Sequence, residues 1–400
     1  MKLMEILLDK KQKKIVFTQF LELFNNKLDE DFFHYYFQNE AAERNKMKQD
    51  FTPISVSGLV AELINESGTY FEAAAGTGGM LIAQWKRNKD INNTYICEEL
   101  SDRALPFLLL NMAFRGINGV VIQCDCITRE TKKIYLLQNI RNSIFSDIKE
   151  ISNYNACTYN AVMMNPPFSA NWSAEDKFLS DPRFESFGKL APKSKADFAF
   201  LLHGFYNLNE KGTMGIVLPH GVLFRGASEG IIRKTLLEMG AIDAVISLPS
   251  NLFYGTSIPI VVLILKKNRS KRDVLFIDAS KGFEKQKNQN NLRQEDIKKI
   301  VDTYKNRKSI PQYAHLASHD EIVSNDYNLN IPRYVDSFEG EEQIDIVTLC
   351  KEITNLNLQI KQNEKEFKNL LDKLNKTDKT RELINATKQV FEKGVVYNVK

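Results

Sequence analysis

Tyr70-Phe71-Glu72-Ala73-Ala74-Ala75-Gly76-Thr77-Gly78-Gly79-Met80 carries an apolar run into a cluster of small residues and out again into helical spacing. It reads as a strand over 70–74, a tight turn, and a helix over 79–86. Small residues in such a turn let backbone approach a ligand closely, and the helix start offers free N–H groups. A tight turn without a ligand fits these residues equally well, so the stretch takes its meaning from what surrounds it. Outward from it the same alternation continues. Candidate strands lie at 94–99, 120–125, 161–164, 213–218, 241–248, 259–265 and 274–278, with helical patterns at 102–115, 196–208 and 229–239. Runs such as Gly-Ile-Val-Leu and Ile-Val-Val-Leu-Ile-Leu suit strands buried on both faces. The alternation implies a doubly wound α/β sheet. The last two strands follow each other closely and are expected to pair as an antiparallel edge.

The 400 residues (45.9 kDa), 43% hydrophobic and 26% charged, are those of an ordinary globular chain of two or three domains. A net charge of +4 excludes a bulk polycation but not a local basic patch. Divided along the chain, the charge is uneven. Residues 51–130 carry 6 basic and 9 acidic side chains, 131–265 carry 13 and 11, and 266–310 carry 14 and 6. No apolar run approaches the ~20 residues of a membrane span, and the first 14 residues lack the apolar region of a signal peptide. Cys97, Cys124, Cys126, Cys157 and Cys350 form no C-x-x-C pair and read as reduced thiols. No spacing of Cys and His suggests a metal site.

Residues 1–50 form a helical segment, with Leu3, Ile6 and Leu7 and then Phe17, Phe20, Leu21 and Phe24 at helical spacing. Pro53 ends or restarts structure. Residues 51–335 hold the α/β domain, with a polar stretch over 281–310 and a helix over 294–305. In 336–400, Ile346, Ile353, Ile360, Phe367 and Leu374 recur every seven residues, with Leu349, Leu356, Asn363 and Leu370 three residues after the first four. That heptad pattern describes a helix seeking a partner helix, or one packed on its own domain. The tail after Lys376 has no assignment.

The second strand ends in Glu98-Glu99, where a carboxylate can accept both hydroxyls of a ribose. The third ends at Asp125. A glycine loop, an acid and a second acid at three neighbouring strand ends describe an adenosine-containing ligand. The loop lacks the Lys-Ser/Thr of a phosphate-binding P-loop, and Glu72 would repel a pyrophosphate. The fourth strand ends Asn165-Pro166-Pro167-Phe168. A planar amino group needs acceptors in its own plane to be held as a nucleophile. The Asn165 side-chain oxygen and the Pro166 carbonyl can both accept from one such group, the prolines keep that carbonyl aimed, and Phe168 can stack on the base that carries it. In isolation these four residues also fit a rigid turn with a buried aromatic.

Taken together, the chain from about 49 to 334 resembles the modification (M) subunits of type I restriction–modification systems, within the γ-order adenine-N6 DNA methyltransferases. Phe51-Thr52-Pro53 resembles the family's Tyr/Phe-Thr-Pro signature. Residues 73–79 resemble its Ala-Gly-Thr-Gly-Gly loop, with Glu72 for Asp and Ala73 for Pro. Glu99-Leu100-Ser101 stands where the family has Glu-Ile/Leu-Asn, which selects Glu99 over Glu98. Pro192-Lys193-Ser194-Lys195-Ala196-Asp197-Phe198, Leu218-Pro219-His220-Gly221 and Leu248-Pro249-Ser250-Asn251-Leu252-Phe253-Tyr254 match further blocks in order.

The resemblance implies a Rossmann-like, S-adenosylmethionine (SAM)-dependent sheet that methylates N6 of a flipped-out adenine. It implies catalytic roles for Asn165, Pro166, Pro167 and Phe168. Cofactor contacts would come from Phe51, Thr52, Pro53, Glu72, Ala74, Gly76, Thr77, Gly78, Gly79, Glu99, Asp125 and Asn165. Asp125 would meet the adenine amine of SAM, and Asp197 would support either the amine pocket or the methionine end. No metal is required. The implied partners are double-stranded DNA, a specificity (S) subunit that reads the sequence, a second M subunit and a restriction (R) subunit. The implied location is the cytoplasm, at the nucleoid. Residues 346–374 are expected to dock on helices of the S subunit, and 266–310 to contact phosphates or to form a solvated loop. Rival readings are a stand-alone DNA enzyme, a methyltransferase for RNA or protein glutamine, and a non-catalytic DNA-binding scaffold.

Overall fold

Helices α1 (Lys2–Leu8) and α2 (Lys10–Leu23) open the chain, the second capped by the Asp9 carboxylate, which accepts from Lys11 N and Gln12 N. The computed structural model describes residues 2–24, 28–31, 33, 51–140, 143–254, 256–287, 289–336, 345–374 and 377–392. The expected helical content of 34–50 therefore lies outside the described residues. Pro53, with no N–H to satisfy, restarts the chain as α3 (Ile54–Ile64). The alternating body follows: β1 (Thr69–Ala73), α4 (Gly79–Arg87), β2 (Thr94–Glu99), α5 (Leu105–Phe114) and β3 (Asn118–Cys124). A charged hairpin, β4 (Thr131–Gln138) and β5 (Asp147–Ile151), precedes β6 (Tyr159–Met164), α6 (Asp197–Asn207), β7 (Leu208–Pro219), α7 (Ala227–Glu238) and β8 (Ile242–Ser247). Then come β9 (Ile260–Lys266), β10 (Val274–Asp278), a small hairpin of β11 (Glu284–Lys285) and β12 (Asn290–Asn291), α8 (Gln294–Asn306), β13 (Ala314–Ala317) and α9 (His319–Ser324).

Eleven strands make one mixed sheet in the order β13-β10-β8-β9-β7-β6-β1-β2-β3-β4-β5. The pairs β1·β2, β2·β3, β1·β6, β6·β7 and β8·β10 are parallel. Chain order reverses between β1 and β6, the switch point beyond whose carboxyl ends ligands bind in doubly wound folds. Two apolar layers cover the sheet, one built on Leu59, Leu108 and Leu109, the other on Phe198, Leu201 and Leu236. Full burial of each such side chain contributes roughly 1.5–3 kcal/mol.

The expected antiparallel edge is not formed. β9 lies inside the sheet, antiparallel to both β7 and β8, while β10 runs parallel to β8 and pairs β13 on its far side. The physical reason is the composition of β9. Ile260 to Leu265 are all buried, a burden that only an interior strand can carry. The β4–β5 hairpin and β13 had no assignment from sequence. In the hairpin, Lys132, Lys133 and Glu150 are exposed and only Tyr135, Leu137 and Ile148 are buried, so the apolar run is broken.

The chain divides into two compact units, Met1–Ser337 and Phe338–Lys400. In the second, α10 (Ile346–Asp372) is capped by Asp345 and followed by α11 (Asp378–Glu392), which occupies the tail left unassigned above. Lys388 of α11 pairs with Asp372 at 2.6 Å. No residue of α10 is buried, and Ile346 and Leu356 are 70% and 57% exposed. Among the described residues no helix is long and apolar enough to cross a membrane.

Candidate active site

The turn after β1 folds as its composition demands. Ala74, Gly76 and Gly78 all have left-handed backbone, with φ of 55°, 58° and 90°. Gly78 is doubly required, because a Cβ there would lie 2.9 Å from Leu108 Cδ1. Neighbours pin the turn. Ala75 N donates to Glu98 O at 3.0 Å, and Gly76 N to Glu99 Oε2 at 2.7 Å. The Thr77 hydroxyl donates to Asp31 Oδ2 at 2.6 Å, and Asn111 Nδ2 donates to both Asp31 Oδ1 and Thr77 O. Asp31 thus ties the N-terminal segment to the glycine turn. No motif marked it in the sequence.

Four carboxyl groups converge here in different surroundings. Burial pushes Glu72 up to about 8, against hydrogen bonds from the Tyr70 hydroxyl (2.6 Å) and Leu81 N. Glu72 therefore carries a proton at neutral pH, and its charge is not what excludes a pyrophosphate. Burial raises Glu99 to about 7, opposed by N–H donors from Ser101, Gly76 and Leu100. Burial also opposes charge on Glu98, but His203 and the Arg129 guanidinium outweigh it and hold that carboxyl below its ordinary range. Arg183 Nη1 lies 3.1 Å from His203 Nδ1 and can only donate, so the histidine proton is placed on Nε2, 2.7 Å from Glu98 Oε2. Glu98, Cys126 and His203 bring ligand atoms within 4.8 Å of one another, but the two guanidiniums already supply the cationic charge of that cluster. With Glu98 committed to this network, Glu99 is left facing the turn. Asp125 Oδ1 accepts from Ile127 N and Thr128 N and so shapes its own loop.

At the end of β6, Asn165 Nδ2 donates to Thr52 Oγ1 at 2.7 Å. This bond joins the Phe51-Thr52-Pro53 and Asn165-Pro166-Pro167-Phe168 stretches across 113 residues. Ser169 follows with φ of 49°, its N–H donating to the buried Asp197 at 2.8 Å, and Arg225 holds the other Asp197 oxygen at 3.0 Å. Asp197 is therefore a brace for the loop after Phe168. Phe168 meets Phe253 edge-on, with ring centroids 5.4 Å apart.

These elements enclose a cavity of about 520 Å³, within the roughly 300–1,000 Å³ range of small-ligand sites. Of the residues singled out from sequence, Phe51, Thr52, Glu72, Ala74, Gly76, Thr77, Gly79, Glu99, Asp125, Asn165 and Pro167 line it. Pro53, Gly78, Pro166, Phe168 and Asp197 do not; they shape or brace the wall from behind or beside it. Glu98, Trp172 and Phe200 line it without having been chosen. Trp172, four residues past Phe168, was the signal available. Its indole donates to Pro192 O at 3.0 Å, closing the loop over the cavity. The lining holds four carboxyl groups and no Lys, Arg or His. Such a wall suits a cationic or neutral ligand and not a polyphosphate.

Comparison with known proteins identifies the family. The sequence profile of the N-6 DNA Methylase family matches residues 27–343. The chain is 36% identical over 320 residues to the type I restriction enzyme MpnII methylase subunit of Mycoplasma pneumoniae, covering 76% of this chain and 56% of the relative. It is 32% identical to the MjaVII methylase subunit of Methanocaldococcus jannaschii, over 84% of this chain and 56% of the relative. The chain thus spans little more than half the length of the curated relatives it matches. The crystal structure of a type I restriction–modification methyltransferase subunit from Streptococcus thermophilus superposes with a TM-score of 0.64 at 46% identity, covering 72% of this chain and 59% of that one. On its matched profile, its sheet and its motifs, the chain belongs to the N-6 DNA Methylase family.

Proposed function

We propose that the chain transfers a methyl group from SAM to N6 of an adenine in DNA, as the modification subunit of a type I-like system. The observation that carries this reading is Asn165, fixed by Thr52 beside a cavity walled by carboxyl groups without a basic residue. SAM, when bound, supplies the electrophilic methyl group. The donor set fits it, since a sulfonium cation is compatible with this wall and the glycine turn leaves room for close backbone approach. Glu99 and Asp125 would hold its ribose and adenine ends, with Phe51, Thr52 and residues 74–79 around them.

With its amide nitrogen engaged by Thr52, Asn165 offers its oxygen to accept a hydrogen bond from the target amine, and the Pro166 carbonyl accepts one from the second N–H. Two in-plane acceptors orient the nitrogen lone pair for attack. An adenine inside a duplex cannot reach this pocket, so the base must leave the stack, and Phe168 covers its face. Asp197 holds Ser169 and hence the attitude of Phe168.

Residues 51–335 would perform the chemistry and 1–50 would support the cofactor turn. Residues 336–400 would dock on helices of an S subunit through the apolar stripe of α10, in a complex with a second M subunit and an R subunit in the cytoplasm, at the nucleoid. Labelled-methyl transfer from SAM to DNA, with and without an S subunit, tests this. Wild type should label N6 of adenine, and Asn165→Ala should bind SAM without transferring methyl. Labelling of RNA or protein glutamine in place of DNA, or retained activity in Asn165→Ala, would overturn it.

A further inference from the structure

In the basic stretch 266–310 many cations are engaged within the chain. At the amino ends of β8 and β10, Arg269 and Arg307 share the carboxylates of Asp243 and Asp273 at 2.8–3.2 Å, Lys266 reaches Asp243 at 3.3 Å, and Arg272 pairs with Glu238. On α8, Lys298 pairs with Asp302, Arg293 with Glu295 and Asp296, and Lys299 lies over the Tyr313 ring. These cations are engaged internally. Lys271, Lys305 and Lys308 are exposed but flank Arg269 and Arg307 at that amino edge; Lys285 and Lys287, in the β11–β12 hairpin, are exposed, have no acidic partner among the described residues, and lie elsewhere.

The hairpin stands on the catalytic edge of the sheet. β6 is parallel to β7, β9 is antiparallel to both β7 and β8, and β10 is parallel to β8, so β10 ends on the same edge as Asn165. From there the chain enters the hairpin. Asn290, 9% exposed, fastens it, donating from N to Asn251 O at 2.7 Å and from Nδ2 to Ser250 O at 2.8 Å. The same turn carries Phe253, whose ring supports Phe168. Two solvent-facing ammonium groups are thereby linked, through Asn290 and the 250–253 turn, to the aromatic that would cover the extruded base.

We infer that the β11–β12 hairpin grips backbone phosphates of DNA beside the target adenine, an inference that rests on the DNA-methylation reading above. The hairpin sequence Glu284-Lys285-Gln286-Lys287-Asn288-Gln289-Asn290-Asn291 has no apolar side chain to enter a protein groove. Its ammonium groups are point charges suited to phosphate oxygens, and its place outside the cavity keeps it from base edges. The grip is therefore indifferent to sequence and leaves reading to a partner.

The test uses the full chain, alone and with its S subunit, carrying Lys285→Gln and Lys287→Gln together. Binding to a labelled duplex is followed across salt concentrations, and methyl transfer is measured at saturating DNA. The slope of log Kd against log salt should fall by about 2, with affinity roughly tenfold weaker near physiological salt, equally for unrelated duplexes. SAM affinity and the rate at saturating DNA should not change, and the double Arg variant should restore binding. Lys298→Gln on α8 should leave the slope as it is. An unchanged slope in the double Gln variant, while wild type methylates DNA, overturns the hairpin inference alone. A wild-type complex that methylates no DNA overturns the functional reading, and this inference with it.

Discussion

Replacing Glu72 by Gln tests the most unusual ionisation in the cavity wall. Glu72 is buried, and burial lifts its midpoint from 4.5 to about 8. Between those two values the folded chain keeps a proton that the unfolded chain releases. Stability linked to that proton is complete below about pH 4.5 and is lost as pH rises through about 8. At about 1.4 kcal/mol per pH unit, the gap corresponds to on the order of 5 kcal/mol. Glu72→Gln keeps the shape and an oxygen that can accept from the Tyr70 hydroxyl and Leu81 N, and it is neutral at every pH. Urea unfolding of wild type and variant from pH 5 to 9 reads the difference directly, since Glu99 and every other titrating group are common to both. Relative to wild type, the variant should gain stability steadily from pH 5 to 8 and then level off. A constant offset from its unpaired amide N–H₂ is compatible with this, at roughly 1–3 kcal/mol. Parallel profiles across the range would refute the argument and show Glu72 ionised in the folded chain at neutral pH.

Glu99 sits near 7 in the folded state, so raising pH from 6 to 8 should strengthen it as a hydroxyl acceptor; calorimetric SAM affinity should rise over that range in wild type and stay flat in Glu99→Gln. Gly78→Ala places a methyl 2.9 Å from Leu108 at φ of 90° and should cost about 1–3 kcal/mol in chemical denaturation. Gly79→Ala, with no atom within 4 Å of the new Cβ, should not be destabilised. Phe168→Ala should weaken methyl transfer by the equivalent of roughly 1–3 kcal/mol of stacking with SAM binding intact, while Phe168→Tyr should retain rate.

Much of the sheet was legible because its parallel strands are buried on both faces and so appear as unbroken apolar runs between turns. Thr94–Glu99 and Val274–Asp278 coincide with their sequence assignments for that reason. Strand order was not legible. The insertion of β9 between β7 and β8 depends on pairings between distant segments, which local spacing does not encode. The β4–β5 hairpin escaped notice because its exposed lysines and glutamate break the apolar signal. At the site, the acids at strand ends and Asn165 followed from position on the strand. The choice between Glu98 and Glu99 has a physical basis only in space, where Arg129 and His203 engage one and leave the other. Asp31 belongs to no local pattern, and its role comes from Thr77 and Asn111, tens of residues away; Trp172 stood close enough to Phe168 to be suspected, but its partner Pro192 is visible only in space. The basic stretch read as one block in sequence; the fold pairs five of its fourteen cations, Lys266, Arg269, Arg293, Lys298 and Arg307, with Asp243, Asp273 and the acids of α8.

The sheet's outermost strands, β5 and β13, are five and four residues long. Asp147, Lys149 and Glu150 place charges on β5, and the chain lies against it through Lys13, which reaches Ser146 O and Asp147. An edge strand is a template for any passing chain to extend by backbone pairing, with aggregation as the usual result. The shortness of both edges, and the charges on β5, weaken that template. Among the described residues, the eleven-stranded sheet thus presents only short margins. Any partner of such a sheet must then be recruited through side chains and helices, where the fit can be specific, and not through the indiscriminate hydrogen bonding of an open sheet.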